Sequence, residues 1–131
     1  MAHSDRNLEL DELKKFVVSL NDEWKEGSLV VVEGIKDQKA LRLIGFNGDI
    51  IVLNNFRGIT KFVDNITNKN KKIILLLDMD RKGKILTSKI LSQINSICRH
   101  DHLHAKNRLA RITGGRLRHI EDLRTFSMAI S

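Results

Sequence analysis

The sequence predicts an α/β fold in which a central, mostly parallel sheet of about four strands is flanked by helices. Two observations indicate this fold class. Three short apolar runs, at about residues 29–33, 49–54 and 73–77, have the form of strands buried on both faces, as in a parallel sheet. Each run is followed by apolar residues at helical spacing, and this alternation is typical of parallel strands joined by right-handed crossovers.

An amphipathic helix is predicted before the first strand, over about residues 8–25. Asn7 is its candidate N-cap. We expect residues 1–27 to form a helical extension that packs on the domain. The apolar residues that recur at helical spacing, and that we expect to face the domain, are Leu13, Phe16, Val17, Leu20 and Trp24.

Two strand–helix units follow. The first strand ends in Glu33-Gly34 and leads into a predicted helix over about residues 36–44. The second strand ends at Asn54, in a loop that should face the same edge of the sheet as Glu33. Apolar residues at helical spacing then predict a second helix that includes residues 59–66.

The third strand ends in two carboxylates, Asp78 and Asp80, followed by Gly83 and a predicted helix over about residues 84–99. Two acids at the end of a buried strand are costly unless a cation offsets them. A hard divalent ion such as Mg²⁺ takes one or two carboxylates and leaves positions for substrate phosphates. Ligands bind at this edge of open parallel sheets. The alternative is that the acids only end the strand and cap the next helix.

The segment 99–124 permits two topologies. Residues 107–112 and 117–120 are both candidate strands, and the sequence Thr-Gly-Gly at 113–115 marks a turn between them. The segment is therefore either a hairpin or a strand followed by a loop and a short helix.

Together the strand ends resemble the motifs of the Toprim domain. The family's first motif is a strand ending in E-G, often with Asp three residues after the glycine, and its second is a later strand ending in D-x-D-x-x-G. The resemblance covers about residues 28–124, leaves 125–131 as a tail, and implies a Rossmann-like sheet. The chain supplies the residues of both motifs in the family's order: Glu33, Gly34, Asp37, Asp78, Asp80 and Gly83.

The resemblance assigns Mg²⁺, with Mn²⁺ as a substitute, to Asp78 and Asp80. It assigns proton transfer to Glu33, which also belongs to the metal group. Asp37 has two open roles: it joins the metal shell through water, or it stabilises the positive end of its helix. Like charges and partial burial should raise the pKa of at least one of these carboxyls, which suits a general acid or base. A further cluster matches no common structural zinc pattern, so zinc is not expected at Cys98, His100, His102 and His104.

Positive charge is concentrated late in the chain. Residues 1–80 hold 12 basic and 13 acidic residues, whereas residues 81–131 hold 11 and 3, a net charge of +8. A polarised basic half indicates a polyanionic partner, most simply nucleic acid, and a solvated basic surface is the alternative. His119 is expected to be a nucleic-acid or surface residue rather than a general base. The candidate phosphate and nucleic-acid contacts are Gly34, Asn54, Arg81, Lys82, Gly83, Lys84, Arg108, Arg111, Arg116 and Arg118.

Composition excludes several classes of protein. The single cysteine, Cys98, cannot form an internal disulfide and fits a reducing compartment. No apolar run is long enough to span a membrane and the start lacks the form of a signal peptide, so we expect a cytoplasmic protein without a membrane partner. The chain has no tyrosine, which excludes strand passage through a tyrosyl intermediate, the chemistry of the topoisomerases in this superfamily.

These observations predict Mg²⁺-dependent chemistry on phosphodiester bonds, with a small Toprim nuclease acting on structured RNA as the leading hypothesis. The chain is most similar to small stand-alone archaeal Toprim proteins, a group related to the 5S ribosomal RNA maturation ribonuclease and to the Toprim part of bacterial-type primases. The alternative is a non-catalytic module that binds RNA, DNA or a ribonucleoprotein. Primase-like nucleotidyl transfer is disfavoured because no second domain is visible to hold template and nucleotide. Expected partners are nucleic acid, RNA before DNA, and ribosomal or RNA-processing proteins.

Overall fold

The computed structural model describes residues 2–69, 71–94 and 102–126, and the predicted α/β fold class is confirmed. Two short 3₁₀ segments complete the described structure, Leu53–Asn55 and Ile120–Phe126. None of the described helices is long and apolar enough to cross a membrane. The helices and strands, in chain order, are α1 (Ala2–Lys25), β1 (Leu29–Val32), α2 (Ile35–Leu43), β2 (Ile50–Val52), α3 (Ile59–Lys69), β3 (Ile73–Leu75), α4 (Arg81–Leu91) and α5 (His102–Ile112).

The sheet of the described residues has three parallel strands in the order β2-β1-β3, where about four were predicted. Val30 of β1 pairs with Ile50 of β2 on one side and with Ile74 of β3 on the other. Because β1 is central and all strands run the same way, the residue after β1 lies between the ends of β2 and β3. The edge formed by these three carboxyl ends therefore collects the residues that follow each strand.

Two apolar layers cover the sheet, which explains why the strands are apolar on both faces. Val30 and Val32 of β1 pack with α1, α2, α5 and the C-terminal 3₁₀ segment. Leu29 and Val31 point to the other face, where they pack with α3 and α4. The alternation of these four residues follows from the two-residue period of a strand.

The segment after α4 corrects the sequence prediction. Residues 107–112 belong to helix α5, so the predicted strand there is wrong. Residues 117–120 are also not a strand, although they lie beside β3: the Met79 N–H donates to the Arg118 carbonyl at 2.8 Å. The predicted turn is present, with Gly114 and Gly115 at φ of 60° and 76°. The segment therefore contacts the chain after β3 through one backbone hydrogen bond and does not join the sheet.

Two helix boundaries also differ from the prediction. Helix α1 begins at Ala2, so Asn7 lies inside it and is not its N-cap. Helix α4 spans Arg81–Leu91 rather than 84–99. It begins earlier than predicted because Asp80 is its N-cap and accepts the Gly83 N–H at 2.8 Å. The acid motif is therefore part of the helix start, and this brings α4 close to the end of β3.

Gly83 marks the closest approach between these two elements. A β-carbon at residue 83 would overlap the backbone carbonyl of Asp78, which cannot move without disturbing the end of β3. Gly34 differs, because a β-carbon there would meet the Asn54 side chain at 3.5 Å, an ordinary contact. Its φ of −132° is also open to any residue. Packing therefore requires glycine at 83 and not at 34.

We expect Gly83→Ala to destabilise the protein by about 1–3 kcal/mol, the usual cost of overpacking. Helix propensity alone predicts the opposite sign, a gain of roughly 0.5–1 kcal/mol. Gly34→Ala is the matched control and should stay within about 1 kcal/mol of the parent. Urea unfolding of the three proteins measures these differences. Equal stability of Gly83→Ala and the parent would show that the close approach is not rigid.

Candidate metal and phosphate site

The carboxyl edge of β1 and β3 brings together acids that are distant in sequence. Glu33 directly follows β1, and Asp78 and Asp80 follow the apolar run that continues β3. All three side chains are partly exposed, with 19%, 19% and 31% of their surface accessible. The predicted placement of strand-end acids at one edge therefore matches the observed sheet order.

Each aspartate is held by a backbone amide through one of its two carboxylate oxygens. Asp78 Oδ1 accepts the Ile120 N–H at 2.9 Å, and Asp80 Oδ1 accepts the Gly83 N–H at 2.8 Å. The other oxygens, Oδ2 of both residues, face His119. Because one oxygen is fixed, the rotation of each carboxylate is restricted and the second oxygen is presented at a defined place.

His119, which the sequence analysis expected to be a nucleic-acid or surface residue, lies at this edge beside both aspartates. Its Nδ1 lies 3.3 Å from Asp78 Oδ2 and 3.7 Å from Asp80 Oδ2. Within the described residues these three side chains form a potential metal-binding group, with one ligand atom from each lying within 4.8 Å of the others. The hydrogen bond with Asp78 raises the pKa of the imidazole, and the nearby acids add to this effect. No spacing rule connects residue 119 with this edge, so only the fold could identify it.

Glu33 has a different partner. Its Oε1 lies 3.5 Å from Lys82 Nζ, and Lys82 is itself largely exposed. Glu33 is not in the group formed by the two aspartates and His119. Its backbone carbonyl accepts the Asn54 N–H at 3.0 Å, which ties the ends of β1 and β2 together.

Asp37 caps the helix on which it lies. The side chain is buried, and its Oδ2 accepts the Gly34 N–H at 3.0 Å. This contact corresponds to the helix-terminus role left open by the sequence, while a water-mediated link to a metal stays a prediction. Burial raises the pKa of the carboxyl; the Gly34 hydrogen bond lowers it, and the charges of Asp78, Glu121 and Glu33 raise it further. The negative charges of Asp78, Glu121 and Glu33 therefore act on Asp37 at this edge, which favours binding of a cation there.

A buried lysine behind the site had no sequence signal. Lys106 on α5 donates to Thr87 Oγ1 at 3.3 Å, and Thr87 Oγ1 donates to the Gly83 carbonyl at 2.8 Å. Burial lowers the pKa of the ammonium, and the negative charges of Asp78 and Asp80 oppose that shift. This chain of contacts links α5 to the start of α4.

Six of the seven predicted basic contacts fall into two groups. Four are exposed at or near the acidic edge: Arg81, Lys82 and Lys84 on the first turn of α4, and Arg118 beside Met79. Two others contact α1 instead. The Arg108 guanidinium donates to Ser19 Oγ at 2.8 Å and lies over the Phe16 ring, and Arg116 pairs with Glu9.

The remaining candidates are Arg111 and the cluster of Cys98 with three histidines. Arg111 is exposed and lines a shallow surface depression together with Arg116, Glu9 and Glu12. Cys98 and His100 lie outside the part of the chain that the structure describes, and so do the side chains of His102 and His104. The expectation about zinc therefore stays untested.

Comparison with known proteins gives a consistent result. A model of the Toprim domain matches residues 28–111. The UPF0292 protein of Archaeoglobus fulgidus is 30% identical over 126 residues, which cover 93% of this chain and 97% of that protein. The UPF0292 protein of Methanosarcina acetivorans is 25% identical over 117 residues, covering 89% of this chain and 81% of that protein. No solved structure matches the chain.

The matched residues include both acid motifs, and the relatives are archaeal, as the sequence predicted. A specific relationship to the 5S ribosomal RNA maturation ribonuclease or to primases stays a prediction. Membership of the family implies a metal-dependent activity related to nucleic acid. On the match to residues 28–111 and the near full-length similarity to the Archaeoglobus protein, the chain belongs to the Toprim domain family and to its UPF0292 proteins.

Proposed function

We propose that this Toprim protein is an enzyme that hydrolyses phosphodiester bonds in structured RNA with the help of Mg²⁺ or Mn²⁺. One observation carries the proposal. Asp78 and Asp80 each have one oxygen fixed by a backbone amide and the other turned to a common point. Two such oxygens are the ligands that hard divalent ions prefer, and the remaining positions of the ion suit phosphate and water.

The donor set fits a divalent ion. Asp78 and Asp80 would hold it through Oδ2, and the backbone hydrogen bonds to their Oδ1 atoms would orient them, as is usual for carboxylate ligands. When bound, the ion supplies polarisation of the phosphodiester and stabilisation of the charge that develops in the transition state.

Glu33 is the proposed general base. It lies at the same edge, and its Oε1 is 3.5 Å from Lys82 Nζ. In hydrolysis a water oxygen forms a bond to phosphorus while the bond to the leaving oxygen breaks. The Glu33 carboxylate takes the proton from that water, and the same proton can then pass to the leaving oxygen.

Phosphate binding is assigned to the first turn of α4 and to Arg118. Arg81, Lys82 and Lys84 are exposed there, next to the two aspartates. Three cations at a helix N-terminus oppose the helix dipole, so an anionic ligand would relieve their repulsion. The Arg118 carbonyl accepts the N–H of Met79, which lies between the two aspartates in sequence, and this contact supports the assignment.

A non-catalytic module that binds nucleic acid or a ribonucleoprotein is the second candidate. It is favoured by the position of Glu33, which pairs with Lys82 and is not part of the group of closely spaced ligand atoms from Asp78, Asp80 and His119. The two candidates share the same binding surface and differ only in turnover. RNA in preference to DNA, and ribosomal or RNA-processing proteins as partners, belong to both proposals.

Replacing both aspartates by asparagine should abolish high-affinity Mg²⁺ and Mn²⁺ binding in calorimetric titrations. The asparagine oxygens can still accept the Ile120 and Gly83 N–H groups, so the fold should be retained. Loss of the repulsion between carboxylates should leave the metal-free protein as stable as the parent, or more so. Unchanged titrations with the double variant would remove the metal site, and with it the proposed chemistry.

Glu33→Gln should lower the rate of RNA cleavage by roughly 10²–10⁴-fold, the usual contribution of a general acid or base. RNA affinity should change little, because Glu33 is not among the phosphate contacts. Glu26→Gln, at an exposed carboxylate remote from the edge, is the matched control. The assay uses labelled structured RNA and DNA with Mg²⁺, Mn²⁺ or EDTA. Binding without cleavage of any substrate by the parent protein would select the non-catalytic module.

Arg118→Ala should weaken RNA binding and flatten the log–log dependence of affinity on salt by about 0.7–0.9, the effect of losing one phosphate contact. Arg116→Ala is the matched control, because Arg116 pairs with Glu9 of α1. It should leave the salt slope unchanged. Identical slopes for Arg118→Ala and the parent would mean that this side chain makes no phosphate contact.

A further inference from the structure

The acidic edge contains a nitrogen donor that neither Toprim motif includes. His119 comes from the segment between α5 and the C-terminal 3₁₀ segment, and its Nδ1 faces the free oxygens of both aspartates. The imidazole is 48% exposed, so burial does not explain its position.

We propose that His119 is a metal ligand through Nδ1, and that the centre formed with Asp78 and Asp80 therefore selects Mn²⁺ over Mg²⁺. The inference rests on the proposed function for the presence of a divalent ion at this edge. It adds the identity of a third ligand and the class of ion, a first-row transition metal.

The backbone fixes His119 on both sides. The Arg118 carbonyl accepts the Met79 N–H at 2.8 Å, and the Ile120 N–H donates to Asp78 Oδ1 at 2.9 Å. The flanking side chains of Leu117 and Ile120 are buried in the core. Residue 119 is thus held between two hydrogen bonds to the acid motif itself, which keep its backbone beside the two carboxylates.

The distances suit one ion with three protein ligands. In an octahedral centre with bonds of about 2.0–2.1 Å, adjacent ligand atoms are about 3 Å apart and opposite atoms about 4 Å apart. The observed separations from His119 Nδ1 are 3.3 Å to Asp78 Oδ2 and 3.7 Å to Asp80 Oδ2. One ligand atom from each of the three residues lies within 4.8 Å of the others, so changes in the side-chain torsions would bring them to adjacent positions and leave the other positions for water and phosphate.

The chemistry of the donors then determines the ion. Mg²⁺ is bound through oxygen ligands. Mn²⁺ also suits carboxylates, but as a first-row transition metal it binds sites that include nitrogen donors. All three ligands, two carboxylates and one imidazole, are therefore compatible with Mn²⁺, whereas only the two carboxylates suit Mg²⁺. The competing interpretation is that His119 is an ion-pair partner of Asp78 that leaves when a metal binds.

The test measures Mn²⁺ binding and its ligands directly, without reference to activity. Pulsed electron paramagnetic resonance of Mn²⁺ bound to the full chain should show coupling to an imidazole ¹⁴N nucleus, and His119→Gln should remove it. In calorimetric titrations His119→Gln should weaken Mn²⁺ by at least roughly tenfold. Mg²⁺ affinity should change by less than about threefold. Arg124→Gln, an exposed substitution in the following 3₁₀ segment, is the matched control and should keep the coupling.

The outcomes separate this inference from the proposed function. Mn²⁺ that binds through the aspartates but shows no ¹⁴N coupling in the parent overturns the role of His119 and leaves the metal site intact. Coupling that persists in His119→Gln would likewise show that His119 is not the ligand, and it would also leave the metal site intact. Absence of any Mn²⁺ binding that depends on Asp78 and Asp80 overturns the metal site of the proposed function as well.

Discussion

The site depends on backbone amides that hold carboxylates at one edge of a three-stranded sheet. Asp37, Asp78 and Asp80 each accept one backbone N–H, from Gly34, Ile120 and Gly83. A carboxylate near other carboxylates is costly unless hydrogen bonds or cations favour its charged form. In Asp78 and Asp80 the amide satisfies Oδ1 and leaves Oδ2 turned to His119. These hydrogen bonds thus offset part of the cost of placing the carboxylates close together, and they also restrict the orientation of each carboxylate.

The C-terminal segment closes this arrangement. Its 3₁₀ part packs on the same face of the sheet as α2, where Ile120 and Leu123 are buried in the core. That packing brings the Ile120 amide and the His119 imidazole to the end of β3, and it adds the Glu121 charge near Asp37. A stretch that does not join the sheet therefore contributes as much to the site as the strands do.

The strand-end acids could be predicted because an apolar run followed by a carboxylate specifies both the strand and its end. The structure of residues 107–112 could not be predicted from that segment alone, because six residues are compatible with both the helical period of about 3.6 residues and the strand period of two. Over the whole of α5, Ala105, Leu109 and Ile112 have helical spacing and pack in the core. His119 and Lys106 reach the site only through tertiary packing, 41 residues from Asp78 in the first case. Net charge does not specify the partners of individual basic residues: Arg108 and Arg116 contact α1.

The central claim is that Asp78 and Asp80 jointly hold one divalent ion. Anomalous scattering from crystals of the parent protein soaked in Mn²⁺ tests it most directly, because it locates the ion without assuming any activity. The account predicts a single strong peak within bonding distance of Oδ2 of both aspartates, with Oδ1 still bonded to the Ile120 and Gly83 amides. A saturating soak that places Mn²⁺ elsewhere, or leaves this edge empty, would contradict it.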